Sequence, residues 1–339
     1  MNRFSYARAA DVPGAVREAA TPRAKFISGG TNLIDLMKYN VEAPSRLVDI
    51  TRLPGLDTIE AVEGGLRIGA LVSNTALAAH PEVEARYPLL SNTILHGASP
   101  QLRNAASTGG NLLQRTRCYY FYDTATPCNK REPGTGCPAK AGLSRVHAIL
   151  GASEQCIATH PSDMCVALAA LAATVQVTGP GGDRTIAFAD FHRLPGDTPE
   201  IDTTLARDEI VTSVTLPADS AAFAAHHTYL KLRDRHSYAF ALVSVAAALR
   251  MDGGAIAEAR IALGGVAHKP WRDPAAEDLL RGQAPGPEAF GRVADHVLAD
   301  AKGYPGNAFK IGLARRAIVR ALAQAAAGTP QRPSDKHYS

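Results

Sequence analysis

Lys25-Phe26-Ile27-Ser28-Gly29-Gly30-Thr31-Asn32-Leu33 runs straight into the spacing Ile34-x-Leu36-Met37. A short apolar run ends at Ile27, and an apolar repeat of three to four residues begins near Asn32, so a strand gives way to a helix across a glycine pair. Two positions of that turn carry no Cβ, and its backbone is free to adopt positive φ and to approach a ligand closely. Successive N–H groups in such a turn form a cradle for phosphate. A turn that uses Gly-Gly only for steric reasons is the competing reading, and the rest of the chain has to decide between them.

Outward from this turn, residues 1–55 read as β-α-β-α-β. Ala15–Ala19 is helical, Leu47-Val48-Asp49-Ile50 is a buried strand, and Leu53-Pro54-Gly55 closes the unit. Connections this short suit a parallel sheet. In residues 56–218 a strand ends at Arg67-Ile68-Gly69-Ala70, and Ser73-Asn74-Thr75 caps a helix. A helix over Tyr87–His96 leads to Gln101-Leu102-Arg103-Asn104 and then to a second small-residue turn, Ser107-Thr108-Gly109-Gly110-Asn111. Two turns of the same chemistry in separate subdomains read as two jaws on one ligand, or as two chain reversals. Ser162 caps a helix from Met164, and Thr174–Thr178 with Arg184–Ala187 form a hairpin about Gly179-Pro180-Gly181-Gly182. Pro217–Ser220 is the candidate linker to a C-terminal α+β domain over 222–328. That domain has strands at Thr228–Leu232 and Ala259–Gly264 and Ala-rich helix beyond Pro287. Residues 329–339 are polar and are expected to be disordered.

Composition excludes several classes. The 339 residues are 46% hydrophobic and 20% charged with a net charge of +4, too even a balance for a nucleic-acid binder. No apolar run reaches the roughly 18–20 residues of a membrane span. The first residues lead into a strand with no targeting segment, so the cytoplasm is the default compartment, and the periplasm if a signal-bearing partner carries the chain across.

All five cysteines lie between Cys118 and Cys165, separated by 10, 9, 19 and 9 positions. Such clustering points to metal rather than to a disulfide framework. The spacing contains no C-x-x-C, so a zinc ribbon is poorly supported. Residues 116–157 form the cysteine segment; between Cys118 and Cys137 it reads as a loop without regular structure that needs something to hold it, and four thiolates suit a [4Fe–4S] cluster. Cys165 lies in the apolar helical run Met164–Leu168, where a cysteine packs as a small hydrophobe. The candidate ligands are therefore Cys118, Cys128, Cys137 and Cys156, with zinc and inert thiols as the other readings.

Taken together, the Phe26–Leu33 turn, Arg67–Ala70, Gln101–Asn104 with Thr108–Asn111, Ser162-Asp163 and Leu263-Gly264-Gly265-Val266-Ala267 carry a family resemblance. The chain resembles the FAD-binding medium subunit of the molybdenum hydroxylases, the xanthine and carbon monoxide dehydrogenase group. The cysteine loop is similar to that of the branch whose flavin subunit also holds a [4Fe–4S] cluster. The bacterial periplasmic aldehyde oxidoreductases are the nearest match, and 4-hydroxybenzoyl-CoA reductase is a further one.

The resemblance implies an α+β fold: a two-subdomain FAD-binding unit of the vanillyl-alcohol-oxidase type, then a CO-dehydrogenase-flavoprotein-like C-terminal domain. It implies that Phe26, Ile27, Ser28, Gly29, Gly30, Thr31, Asn32 and Leu33 wrap the FAD pyrophosphate. Ala70, Gln101, Ser107, Thr108, Gly110 and Asn111 would line the cofactor's other side. Asp163 would accept from ribityl or ribose hydroxyls, and Lys231 would reach the flavin or phosphate. The alternatives are a helix cap for Asp163, a surface position for Lys231, and a partner-facing role for His96 in place of a flavin contact.

The implied activity is electron transfer in a heterotrimeric enzyme that oxidises an aldehyde to a carboxylate. A large subunit would hold the molybdenum cofactor, a small one the [2Fe–2S] clusters, and an external acceptor would take electrons from FAD. No catalytic residue is expected in this chain. A hydroxybenzoyl-CoA-reductase-like or xanthine-dehydrogenase-like subunit and a stand-alone FAD oxidoreductase are the alternative functions.

Overall fold

The structure is a computed structural model and describes residues 1–328. Three sheets organise it. The first is parallel, in the order β1 (Ser5–Arg8), β3 (Arg46–Asp49), β2 (Ala24–Ile27), with Phe26 opposite Val48 and Tyr6 opposite Leu47. Its two crossovers are the helices Val12–Ala19 and Leu33–Lys38, so the short β-α-β-α-β pattern of the first 50 residues closes as a parallel unit.

The second sheet is antiparallel and five-stranded, in the order β4 (Ile59–Val62), β5 (Gly65–Gly69), β8 (Ile210–Pro217), β6 (Thr174–Gly179), β7 (Gly182–Ala187). β6 alternates buried Val175 and Val177 with half-exposed Thr174, Gln176 and Thr178, the period of a strand with one face on a core. The 104 residues between β5 and β6 supply most of the helices and loops of the site.

The third sheet runs β12 (Trp271–Arg272), β11 (Ala255–Gly264), β10 (Val243–Asp252), β9 (His227–Leu232). The apolar run Phe240–Leu249 enters β10. It is buried from Val243 to Leu249 because helix Phe309–Ala326 covers one face and helix Asp163–Ala170 packs against the sheet as well. All eight residues of Asp163–Ala170 are buried, since the helix also touches helix Pro88–Leu95 and β11. A helix that is apolar all round is an interior helix, and Cys165 within it is fully buried.

The helix expected over Tyr87–His96 is Pro88–Leu95, with Tyr87 and His96 at its caps, and a separate helix, Pro81–Arg86, precedes it because Pro88 is unable to continue that helix and starts the next. Two readings need adjustment. The candidate linker after Pro217 is a 3₁₀ helix, Ala218–Phe223. Ser220 donates to Leu171 O at 2.7 Å and accepts from Arg260 at 2.7 Å, which ties the segment down. The cysteine segment holds a short helix, Tyr119–Tyr122, and a 3₁₀ turn, Pro138–Lys140. The expected disorder of 329–339 lies outside the described residues.

Candidate functional site: a cofactor cleft beside a cysteine cage

β2 ends at Ile27, and the chain passes through Ser28, Gly29 and Gly30 before helix Leu33–Lys38. Gly30 has φ +70°, the left-handed conformation that glycine adopts without strain. A Cβ on Gly29 would lie 1.8 Å from Ala105 O, so the first jaw presses its backbone onto the end of helix Pro100–Ala105. Asn32 Oδ1 accepts from the Arg115 N–H at 2.9 Å.

The second jaw is the turn at Ser107 and helix Thr108–Leu112. Ser107 Oγ caps it, accepting from Gly110 N–H at 3.2 Å. Thr108 and Gly109 donate their N–H groups to Val72 O and Ala70 O at 2.9 and 2.8 Å. Those two donors are spent on holding the turn against the end of β5, while Gly110 and Asn111 face outward into a cleft. Asn111 Oδ1 accepts from Ser162 Oγ at 2.6 Å, which joins this jaw to the start of helix Asp163–Ala170.

The cleft has a volume of about 550 Å³. Of the expected cofactor residues, Thr31, Asn32, Gly110, Asn111, Asp163 and Lys231 line it. Phe26, Ile27, Ser28, Gly29, Gly30 and Leu33, at the strand end and turn, do not line it, and Phe26 lines a separate pocket with Arg23 and Glu42. Ala70, Ser107 and Thr108 are buried beneath the second jaw, Gln101 is exposed on helix Pro100–Ala105, and His96 lies at a helix end with Nδ1 2.8 Å from Asn92 O. At the back, Asp163 takes a hydrogen bond from Lys231 Nζ at 2.8 Å and one from Tyr229 OH at 2.5 Å. Burial, with Asp163 beside it, pushes the Tyr229 phenol well above its ordinary value, so it stays a donor.

Several cleft residues carried no signal in the sequence. Asn74 Oδ1 is buried without a partner at the cleft wall. Arg103 and Arg117 bring positive charge to the same walls, and Tyr238 and Phe240 form an aromatic rim, with the Arg117 guanidinium 5.0 Å from the centre of the Phe240 ring. A cleft with glycines, cationic side chains and an orphaned buried acceptor in its walls fits a dinucleotide with hydroxyls and a pyrophosphate.

Beside it is a second, small cavity. Cys118, Cys128, Cys137 and Cys156 all line it, with Phe121, Pro127, Pro138 and His147. None is in a disulfide. Burial pushes Cys118 up to about 12 and Cys156 up to about 11. A ring nitrogen of His147 lies 3.0 Å from Cys118 Sγ. Among the described residues, no three of these four sulfurs lie within 4.8 Å of one another. Cys118 and His147 also line the cofactor cleft and so form part of both walls.

Underneath, Lys130 is buried and bonds Asp202, Pro199 O at 2.6 Å and His268 Nε2 at 2.7 Å. Arg115 bonds the same Asp202 at 2.9 Å and Glu42 at 2.6 Å. This network straps the cysteine segment to the first jaw, and the sequence spacing has no sign of it.

Comparison with known proteins agrees with this architecture. Residues 2–219 match the family described as FAD binding domain in molybdopterin dehydrogenase, and residues 227–325 match the CO dehydrogenase flavoprotein C-terminal domain. The chain is 52% identical over 330 residues to the aldehyde oxidoreductase FAD-binding subunit PaoB of Escherichia coli (strain K12), covering 96% of this chain and 99% of that one. It is 27% identical to the carbon monoxide dehydrogenase medium chain of Hydrogenophaga pseudoflava, over 88% of each. A solved chain of carbon monoxide dehydrogenase from that organism superposes with a TM-score of 0.75 at 28% identity, over 96% of this chain and 98% of that one. No helix among the described residues is long and apolar enough to cross a membrane. With both domain matches in sequence and the fold in place, the chain belongs to the family of FAD-binding subunits of the molybdopterin dehydrogenases, which are oxidoreductases.

Proposed function

We propose that this chain is the flavin- and [4Fe–4S]-bearing electron-transfer subunit of a heterotrimeric molybdenum hydroxylase that oxidises aldehydes to carboxylates. The observation that carries the reading is the common wall: one cysteine of the cage, Cys118, also lines the cofactor cleft. A cluster held there would be next to FAD, which favours a relay over a mere brace. FAD would supply the capacity to take up an electron pair and pass it on. Thr31, Asn32, Gly110 and Asn111 would grip it from the two jaws, Asn74 would meet a hydroxyl or ring N–H, and Asp163 would accept from ribityl or ribose hydroxyls. Arg103, Arg117 and Lys231 would offset the pyrophosphate charge.

Four cysteines around one cavity, three of them buried among apolar side chains, support a cluster. Likeness to a named aldehyde oxidoreductase subunit over nearly the whole chain supports the substrate class. On this reading substrate meets a molybdenum cofactor in a large subunit, [2Fe–2S] centres sit in a small one, and no residue of this chain acts as acid, base or nucleophile. The test is anaerobic mixing of the co-expressed complex with an aromatic aldehyde. Bleaching of the flavin absorbance, with carboxylate formed, is expected. An unbleached flavin in a complex whose molybdenum centre does turn over an aldehyde would refute the assignment.

A further inference from the structure

Behind the cleft, and apart from the cage, a ring nitrogen of His160, a ring nitrogen of His192 and Cys165 Sγ lie within 4.8 Å of one another. They come from three places: the loop before helix Asp163–Ala170, that helix, and the residue after helix Phe188–Phe191. All three are buried, and the two rings lie 4.3 Å apart, centre to centre. Each Nε2 faces the same carbonyl, Leu112 O, at 3.4 Å for His160 and 2.8 Å for His192. That acceptor fixes both Nε2 atoms as N–H and leaves the lone pair of each ring on Nδ1. Both Nδ1 atoms are buried and neither has a hydrogen-bond partner. Two buried acceptors without partners, on rings that neighbour a buried thiol, are costly unless something occupies them.

We infer that His160, His192 and Cys165 form a site for one soft monovalent metal ion, copper(I), bound through two imidazole nitrogens and one thiolate. Charge selects the ion. Two neutral imidazoles and one thiolate carry a single negative charge, so a monovalent cation makes the buried set neutral, whereas zinc leaves a net positive charge. The nearby carboxylates are already committed: Asp202 to Lys130 and Arg115, Asp163 to Lys231 and Tyr229. As the copper–sulfur bond forms, the Cys165 S–H bond breaks and its proton leaves to solvent, with no change of oxidation state. His160 also lines the cleft.

The test loads the flavin- and iron-replete full chain anaerobically with copper(I) against a competing chelator. Copper, zinc, iron and FAD are then counted per chain, and the copper X-ray absorption edge is recorded. About one copper per chain in a two-nitrogen, one-sulfur shell is expected. Cys165→Ala should keep FAD and iron and weaken copper retention at least about tenfold, while Cys137→Ala should lose iron and keep copper. If Cys165→Ala fails to fold, His192→Gln takes its place with the same expectation. Copper retained equally by wild type and variant, copper lost with Cys137→Ala, or zinc held instead of copper would each overturn the inference. Iron is counted separately, so a failure of the cluster reading is distinguished from a failure of this one.

Discussion

Lys231 Nζ donates to Asp163 Oδ2 at 2.8 Å, and the two side chains are only 2% and 8% exposed. They belong to different matched domains and lie 68 positions apart, one at the start of an interior helix and the other on β9. The pair therefore serves as a domain joint and as the back wall of the cofactor cleft. Removing one partner of such a pair leaves a buried charge, which costs about 3–5 kcal/mol, whereas replacing both with apolar groups is often close to neutral. Lys231→Met alone should lower the unfolding temperature and reduce bound FAD. Asp163→Leu with Lys231→Met should regain most of the stability but not the FAD. Thermal unfolding and flavin absorbance per chain check both; a double variant that regains FAD in full would remove Asp163 and Lys231 from the site.

Gly29 tests the first jaw. Its missing Cβ leaves room for Ala105 O, 1.8 Å from where that atom would sit, and backbone is not able to rotate aside. Gly29→Ala should cost about 2 kcal/mol or more, as overpacking does, and should depress FAD content. Gly181→Ala, on the hairpin where a Cβ meets nothing within 4 Å, should stay within about 0.5 kcal/mol of wild type. Equal losses of FAD in the two variants would separate the jaw from the cofactor.

Replacing any one of Cys118, Cys128, Cys137 or Cys156 with Ala should abolish the iron signal, because four-thiolate ligation leaves no spare ligand. Cys137→Ala should keep FAD, since Cys137 does not line the cleft. Cys165→Ala should keep iron. Iron analysis with a visible spectrum separates these outcomes, and iron retained in full by the Cys137 variant would show that the cage is not the cluster site.

Acid stability should depend on Asp202. Burial alone would raise its carboxyl, but Lys130, Arg115 and His268 outweigh this and hold it well below the usual range. A carboxyl depressed in the folded state adds stability at pH values above its unfolded pKa of about 3.9, and that contribution is lost as pH falls toward the folded value. Asp202→Asn should therefore be less stable than wild type at pH 7, and the gap should close on acidification below about pH 4. Unfolding temperatures of the two proteins across that range check the sign; a gap that widens in acid would contradict the assigned partners.

What the sequence could disclose follows from where each contact is made. The jaws are local: Gly29-Gly30 and Gly109-Gly110 announce turns within a few residues, and Thr31, Asn32, Gly110 and Asn111 do meet in one cleft. The four cysteines, clustered in the sequence, also line one cavity. Tyr229 on Asp163, Lys130 on Asp202 and the Arg117–Phe240 rim are not legible, since each joins elements 66 or more positions apart. Asn74 was visible only as part of a helix cap, because its orphaned oxygen depends on what packs over it. Helix Asp163–Ala170 hid the His160–Cys165–His192 group for the same reason: spacing along a chain says nothing of two histidines brought together across a helix.

The account stands most directly on one quantification of the purified full chain: FAD released on denaturation, with iron and zinc counted in the same sample. One FAD and about four irons per chain are predicted, with zinc absent from the cage. A colourless chain without flavin, or one holding zinc in place of iron, would contradict it.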